Sequence, residues 1–188
     1  PKEKLFLTPN GLDNSEYRFA DKPKYSDRSI CIGKIEDRKK QYFLQGIDSL
    51  WFAGNIADNR FNKNKNYLGE LPKSKIKTDL TEYGNLVLVS DGEVHPRVCT
   101  EALAAGLGVV ISECGIANLD LDKEFITVIP DSKINDLEYI QTQTIRNRDF
   151  SIRNRHAIID YARQFDWSNI IEKYYLPSIQ KVRSNYDS

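Results

Sequence analysis

Residues 90–112, SDGEVHPRVCTEALAAGLGVVIS, decide the predicted fold of this chain. The apolar runs Leu86–Val89 and Val109–Ile111 flank the stretch, and residues 96–105 between them have the apolar spacing of a helix that ends at Gly106. Strands that alternate with helices are typical of a parallel sheet covered on both faces. The sequence therefore predicts an α/β fold with a Rossmann-like parallel sheet.

Two glutamates, Glu93 and Glu101, stand eight positions apart in this stretch. We expect Glu93 at the carboxyl end of a buried strand, in the loop that enters the helix, and Glu101 about a turn and a half into that helix. Open parallel sheets bind ligands outside the carboxyl ends of their strands, and two carboxylates there can accept hydrogen bonds from vicinal sugar hydroxyls. The alternative is a pair of exposed acids favoured by the helix dipole. The strand–Glu–helix–Glu–strand order favours the ligand site.

The composition limits the classes of function. The chain has 188 residues, 27 basic and 27 acidic, so no charge excess suggests a nucleic-acid partner. Its apolar content of 40% is that of a globular domain, and no apolar run approaches the ~20 residues of a membrane span. Cys31 and Cys99 lie in apolar runs and are expected to be reduced thiols. We expect a cytoplasmic protein, either free or peripheral to a membrane.

The alternation of strands and helices extends in both directions. Further strands are predicted at Ser29–Ile35, Leu50–Ala53, Tyr67–Glu70 and Phe125–Ile129, and further helices at residues 38–46, 72–83, 134–148, 151–165 and 167–182. Residues 57–66 have the composition of a polar loop without packing positions. We therefore predict one domain over residues 1–188. It consists of a lead-in segment (1–28), an α/β core (29–133) and C-terminal helices (134–188) that pack back on the sheet.

A group of cations follows the first predicted strand. Gly33 and Lys34 end that strand, and Lys39 lies in the first turn of the next helix. A helix N-terminus favours anions, whereas cations in the first turn oppose the helix dipole and need an anionic partner. Lys34 and Lys39 can thus converge on a diphosphate, and the alternative is a solvated basic start of the helix. His95, beside Glu93 in the next loop, can contact a ligand or act as an acid. The sequence has no Gly-x-Gly-x-x-Gly, P-loop or nucleophile-elbow motif.

Four patches in order resemble one known family. They are Pro9–Asp13 (PNGLD), Gly33-Lys34-Ile35 with Lys39, the Glu93–Glu101 pair, and Phe165-Asp166-Trp167. These are similar to the motifs of the C-terminal, donor-binding half of retaining glycosyltransferases of the GT-B fold, in the large family 4 group. The resemblance extends over nearly all of residues 5–182.

The resemblance implies a donor site and assigns its residues. Lys34 and Lys39, beside Gly33, would hold the donor diphosphate, Glu93 would bind hydroxyls of the donor sugar, and Glu101 would bind the ribose. The remaining donor contacts would come from Glu70, Leu71, His95, Pro96 and Arg97, with Glu70 and Leu71 near the base. Lys34, Lys39 and Glu93 are the catalytic candidates. The substrate would be a UDP- or GDP-sugar, with no metal or other cofactor, because cationic side chains neutralise the departing diphosphate.

The sequence departs from the family pattern at several points. Pro96 stands where many members have Gly, and Gly108 replaces a common Pro. Only the second of two Rossmann-like domains is expected here. The N-terminal domain, which would bind a glycan, lipid or other acceptor, is expected to be missing. The isolated chain is therefore expected not to transfer the hexosyl group of the donor. Two alternatives stay open, namely a non-catalytic nucleotide-sugar-binding module and one half of a nucleotide-sugar epimerase.

Overall fold

The computed structural model describes residues 6, 8–93 and 96–184 of the chain. The strands are β1 (Tyr25–Ile32), β2 (Leu50–Ala53), β3 (Tyr83–Leu88), β4 (Gly108–Ser112) and β5 (Ile126–Ile129). The α-helices are α1 (Gln41–Leu44), α2 (Lys73–Asp79), α3 (Arg97–Ala104), α4 (Leu137–Arg153), α5 (Arg155–Ala162), α6 (Trp167–Ile170) and α7 (Leu176–Ser184). Among the described residues, no helix is long and apolar enough to span a membrane.

All strand pairs are parallel, and the order across the sheet is β2-β1-β3-β4-β5. The chain moves from β1 to one side for β2 and to the other side for β3. The order therefore reverses between β1 and β3, which is where doubly wound sheets form a ligand crevice at the carboxyl ends of their strands. The predicted parallel α/β fold is confirmed, and the loops after β1 and β3 meet at this crevice.

Both faces of the sheet are covered, as predicted. Along β3, Leu86 belongs to one hydrophobic core with Leu103 of α3 and Ile158 of α5. The next residue, Val87, belongs to a second core with Ile140 of α4. Successive side chains of a strand point to opposite faces, so a strand that is apolar at every position needs a layer on each side. The C-terminal helices supply part of both layers, which confirms that they pack back on the sheet.

The segment after β1 differs from the prediction. The strand begins at Tyr25 and ends at Ile32, because Gly33 takes a positive φ of 142° and turns the chain away. The helix predicted at 38–46 is instead a 3-10 turn, Asp37–Lys39, followed by the short α1. Lys40 separates the two with a φ of 51° in the left-handed region, which a continuous helix does not permit.

The predicted polar loop at 57–66 does have packing positions. Phe61 is buried, with its ring 5.4 Å from that of Phe52 and 5.6 Å from that of Tyr67. Arg60 lies over the Tyr42 ring and pairs with Asp58 and Asp37. Single large residues in a polar run have no periodicity, so the pattern does not reveal them. The strand predicted at Tyr67–Glu70 is only an isolated bridge between Tyr67 and Phe52.

Other boundaries shift by a few residues. The helix predicted at 72–83 ends at Asp79, is followed by a 3-10 turn at Leu80–Glu82, and leaves Tyr83 as the first residue of β3. The helices predicted at 134–148 and 151–165 are α4 and α5, which meet at Asn154. Cys31 and Cys99 are free and buried, and burial raises the pKa of both thiols.

A buried polar seam joins α4 to the sheet. The side-chain amide of Asn147 donates through Nδ2 to the carbonyl of Phe125. Its Oδ1 accepts a 2.9 Å hydrogen bond from the side-chain amide of Asn85. Gly108 lies beneath this helix, and an added Cβ there would be 2.0 Å from the Ser151 hydroxyl oxygen. The departure from proline at Gly108 therefore follows from close approach of α4, since no side chain fits beneath Ser151.

The beginning and the end of the described chain lie together. The Leu12 amide donates to the carbonyl of Phe165, and the Leu12 carbonyl accepts from the amide of Trp167. Phe6 and Val182 of α7 line a common apolar groove. The Asp166 carboxylate is the N-cap of α6 and accepts a hydrogen bond from the Ser168 backbone amide at 3.0 Å.

Candidate functional site

The turn after β1 brings a lysine ammonium close to the backbone. An added Cβ on Gly33 would lie 3.0 Å from the Lys39 Nζ, and one on Gly54, after β2, would lie 1.9 Å from the Gly33 carbonyl oxygen. Both glycines have a positive φ, so side chains are disfavoured there for conformation and for space. The result is an open strand end beside the Lys39 cation.

Glu93, after β3, lies across the crevice from two cations of the turn after β1, Arg38 and Lys39. Its Oε1 lies 3.0 Å from Nη1 of Arg38 and 3.5 Å from Nζ of Lys39. The side chains of Lys39 and Glu93 are only 13% and 14% exposed, so solvent screens their interaction less than that of a surface ion pair. Among the described residues, Oε1 of Glu93 accepts a hydrogen bond and Oε2 accepts none. Oε2 is therefore available to accept a hydrogen bond from a ligand.

The ion pairs continue toward solvent as far as Lys34. Glu36 bridges Arg38, at 2.8 Å, and Lys34, at 3.6 Å. The order of partners is thus Lys34, Glu36, Arg38, Glu93, Lys39, and we call these five residues the crevice network. It contains three cations and two carboxylates, so its net charge favours an anionic ligand. Lys34 and Lys39 occupy opposite ends of the network.

The loops after β1 and β3 are joined to each other. Arg38 donates through Nη1 to the carbonyl of Gly92, and its own carbonyl accepts a 2.8 Å hydrogen bond from the amide of Asp91. Lys40 pairs with the Asp91 carboxylate at 2.9 Å. Sequence reasoning missed Arg38 and Glu36 as site residues. The run of charges over residues 34–40 marks a charged segment but does not distinguish the members that contact Glu93.

Glu101 lines a second cleft of about 240 Å³. Arg97, four residues earlier, lines the same cleft, as do Tyr17, Lys73 and Lys77. Burial, and then the charge and hydrogen bond of the Glu101 carboxylate, raise the pKa of Tyr17 above its usual range. The two glutamates of the motif therefore face different surroundings, a cation network for Glu93 and a mixed polar cleft for Glu101.

The other predicted site residues are distributed around these two centres. Glu70 is exposed and accepts a 2.7 Å hydrogen bond from the Asn55 amide, while Leu71 packs against the core. Pro96 is the N-cap of α3 and has no N–H to offer, and it provides no side-chain cap. Arg97 is exposed in the first turn of that helix. The prediction for His95 lies outside the described residues.

A further segment approaches the crevice from β4. An added Cβ on Gly115 would lie 3.6 Å from the Cβ of Glu93, and the Cys114 thiol donates to the Ser90 carbonyl at 3.1 Å. The turn after β4 therefore lies against the loop that carries Glu93. Within the part of the chain that the structure describes, no group of three or more His, Cys, Asp or Glu side chains is placed to hold a metal ion.

No protein-family model and no curated protein matches the sequence. Solved structures match the fold. Sucrose-phosphate synthase from Thermosynechococcus elongatus superposes with a TM-score of 0.67 at 15% identity, over 96% of this chain and 52% of that one. AviGT4, a glycosyltransferase involved in avilamycin A biosynthesis, gives 0.67 at 16% identity, over 94% and 57%. Anabaena HepE in complex with UDP-glucose gives 0.66 at 14% identity, over 96% and 57%.

These similarities confirm the predicted fold class, a Rossmann-like parallel sheet with helices on both faces. The chain spans little more than half the length of each of these three proteins. At such low identity the likeness is one of fold alone.

Proposed function

We propose that this chain is the donor-binding half of a retaining glycosyltransferase of the family 4 kind, which transfers a hexosyl group from a UDP- or GDP-sugar. The observation that carries the proposal is the placement of Glu93 between Arg38 and Lys39 where the strand order reverses. That crevice is the usual ligand position of the fold. It offers an acceptor for sugar hydroxyls beside cations for a diphosphate, as a nucleotide sugar requires.

In this proposal the lysines stabilise the leaving diphosphate. Negative charge grows on the leaving phosphate oxygen as the glycosidic bond breaks, and a fixed cation beside that oxygen lowers the barrier. One such group is typically worth about 3–4 kcal/mol of transition-state stabilisation. Lys39, held above Gly33, has the fixed position that this role needs, and Lys34 adds a second charge from the solvent side. With these cations, transfer needs no metal.

Glu93 and Glu101 bind two other parts of the donor, the sugar and the ribose. The free Oε2 of Glu93 accepts from hydroxyls of the sugar, and Glu101, in its separate cleft, accepts from the ribose. Glu70 and Leu71 lie toward the base. The binding of UDP-glucose by HepE, which shares the fold, supports a nucleotide sugar as the ligand.

The acceptor half lies outside these residues in this proposal. This chain spans only 52% of sucrose-phosphate synthase and 57% of AviGT4, and the Lys34 and Arg38 side chains of the crevice network are 59% and 45% exposed. A second domain would hold a glycan, lipid or other acceptor over the crevice. The chemistry of that acceptor depends on the second domain.

A panel of nucleotide sugars and free nucleotides, measured by thermal shift, tests the proposal. A ligand that binds only the native state raises stability by RT ln(1 + [L]/Kd), so a UDP- or GDP-sugar should raise the melting temperature. By calorimetry, Glu93→Ala should weaken mainly the sugar conjugate, and Glu101→Ala should also weaken the free nucleotide. A panel without any stabilising nucleotide or nucleotide sugar would rule out the proposed function.

A further inference from the structure

Arg38 contacts both of the loops that meet at the crevice. Its guanidinium Nη1 lies 3.0 Å from Oε1 of Glu93 and also donates to the carbonyl of Gly92, while Nη2 lies 2.8 Å from Oε1 of Glu36. A weaker contact of 3.4 Å reaches the Ser90 hydroxyl. The backbone joins the same loops, since the Asp91 amide donates to the Arg38 carbonyl. One side chain thus connects the first loop to the backbone and the carboxylate of the second.

These contacts fix the position and plane of the Glu93 carboxylate. Arg38 and Lys39 both contact one oxygen, Oε1, so the second oxygen is directed away from these two cations. Oε2 is then the oxygen left to accept from a hydroxyl. A planar guanidinium can donate to a carbonyl and a carboxylate at once in a fixed geometry, whereas a lysine ammonium on a flexible stem cannot hold that geometry.

Arg38 is less suited to bind the diphosphate itself. Its Nη1 and Nη2 are already engaged by Gly92, Glu93 and Glu36, so a phosphate would have to displace protein acceptors. The Lys34 side chain, in contrast, is 59% exposed, and among the described residues its ammonium pairs only with Glu36, at 3.6 Å. The ammonium groups of Lys39 and Lys34 therefore remain the partners for the phosphates, and Arg38 is left with the carboxylate.

We propose that Arg38 is a positioning residue, which orients the Glu93 carboxylate for the donor sugar and so sets the preference for nucleotide sugar over free nucleotide. This inference rests on the proposed function and adds to it a specific origin of sugar selectivity. It predicts that removal of Arg38 harms recognition of the sugar and leaves recognition of the nucleotide nearly intact.

The experiment measures a ratio of affinities by calorimetry. The probes are UDP-glucose, UDP-N-acetylglucosamine and GDP-mannose, each with its free nucleoside diphosphate, and the pair that binds the wild-type chain is used for the variants. Loss of one charge-assisted contact to Glu93 should lower the preference for the conjugate about tenfold in Arg38→Ala, with the free diphosphate changed less than about twofold. Arg38→Lys should lie between Arg38→Ala and the wild type.

A double-mutant cycle shows whether Arg38 acts through Glu93. In the Glu93→Gln background, Arg38→Ala should change the preference less than about twofold, because the group that it orients is already altered. Arg153→Ala, which removes an exposed arginine at the end of α4, is the matched control and should leave the ratio unchanged. Circular dichroism establishes that each variant is folded, and Arg38→Lys provides the readout if Arg38→Ala is not.

The outcomes separate this inference from the proposed function. Equal losses for conjugate and free diphosphate in Arg38→Ala would make Arg38 a phosphate ligand and overturn the positioning role. An unchanged ratio, or a full effect of Arg38→Ala in the Glu93→Gln background, would overturn it as well. If the wild-type chain binds none of the probes, the proposed function itself fails.

Discussion

Lys34 and Lys39 are alike as cations in the sequence, but they have different surroundings in the structure. The Lys39 side chain is 13% exposed and lies between Glu93 and the Gly33 turn, whereas Lys34 is 59% exposed and pairs with Glu36. An exposed cation interacts weakly because water and salt screen it, and a partly buried one interacts more strongly. The two lysines should therefore contribute unequally to the binding of a diphosphate.

We expect Lys39→Ala to weaken the binding of a nucleoside diphosphate by about 1.5–3 kcal/mol, the range for a charged hydrogen bond. Lys34→Ala should cost less than about 1 kcal/mol, as for a solvent-exposed ion pair. Calorimetry with UDP and GDP measures both, and Lys63→Ala, in the exposed part of the 57–66 loop, is the control. Equal losses of binding free energy in Lys34→Ala and Lys39→Ala would contradict the expectation that the more buried lysine contributes more.

Individual site residues were predictable to different degrees. Gly33 and Glu93 could be placed because each follows an apolar strand, and parallel strands bring their carboxyl ends to one edge. Arg38 and Glu36 could not be assigned. Their role depends on a 3-10 turn and on contacts across about 55 residues of sequence, which local charge patterns do not encode.

At the scale of elements, the position of α4 depends on the absence of a side chain at Gly108. We expect Gly108→Ala to lower the free energy of unfolding by about 1–3 kcal/mol, the usual cost of overpacking, because the new Cβ would meet the Ser151 hydroxyl oxygen at 2.0 Å. Adding Ser151→Gly should recover part of the loss, since the Phe125 carbonyl oxygen remains within 2.8 Å. Urea unfolding measures both variants.

Gly92→Ala is the matched control for this experiment, because an added Cβ at that position meets no heavy atom within 4 Å. Its free energy of unfolding should stay close to that of the wild type. A similar loss in Gly108→Ala and Gly92→Ala would mean that α4 does not approach β4 as closely as described.

The N-cap of α6 gives a prediction that depends on pH. Hydrogen bonds from Ser168, and one from the Asn14 amide, hold the pKa of Asp166 below its ordinary 3.8. A carboxyl whose folded pKa is lowered stabilises the protein above its unfolded pKa and loses that contribution as the pH falls through the folded pKa. Asp166→Ala should therefore cost about 1 kcal/mol at pH 7, and the difference from the wild type should shrink below about pH 4.

Urea unfolding of wild type and Asp166→Ala at pH 7, 5 and 3 measures this difference. Asp149→Ala, which removes an exposed acid from α4, controls for the loss of a charge. A stability gap between wild type and Asp166→Ala that stays constant down to pH 3 would show that the ionised carboxylate is not the capping group.

Element types were more predictable than element boundaries. The apolar runs of β3 and β4 and the periodic pattern of α3 are strong local signals, and these elements are where the sequence placed them. The helix predicted at 38–46 is shortened to α1 and preceded by a 3-10 turn, because Lys40 takes a left-handed conformation that no local pattern signals. The packing of Phe61 was missed because it depends on two rings distant in sequence.

For the molecule as a whole, we expect residues 1–188 to bind the donor but not to transfer its sugar. Transfer needs the acceptor atom held about 3–3.5 Å from the anomeric carbon and a site closed to water. The described residues form a single parallel sheet, with the crevice network at the carboxyl ends of β1 and β3. A radiolabelled-donor assay over a range of acceptors tests this, with slow donor hydrolysis as the only expected turnover. Acceptor-dependent transfer by this chain would place the acceptor site within these residues.

The pairing of Leu12 with Phe165 and Trp167, and the groove shared by Phe6 and α7, bring the two described ends of the chain to one place. The sheet does not depend on where the polypeptide starts, because none of its strand pairs involves these ends. A circular permutant, with a short linker between the old ends and a new opening at the exposed turn near Leu121, would keep every strand beside its present neighbour. The crevice would then consist of the same loops, although the ribosome would synthesise them after β5 and the C-terminal helices.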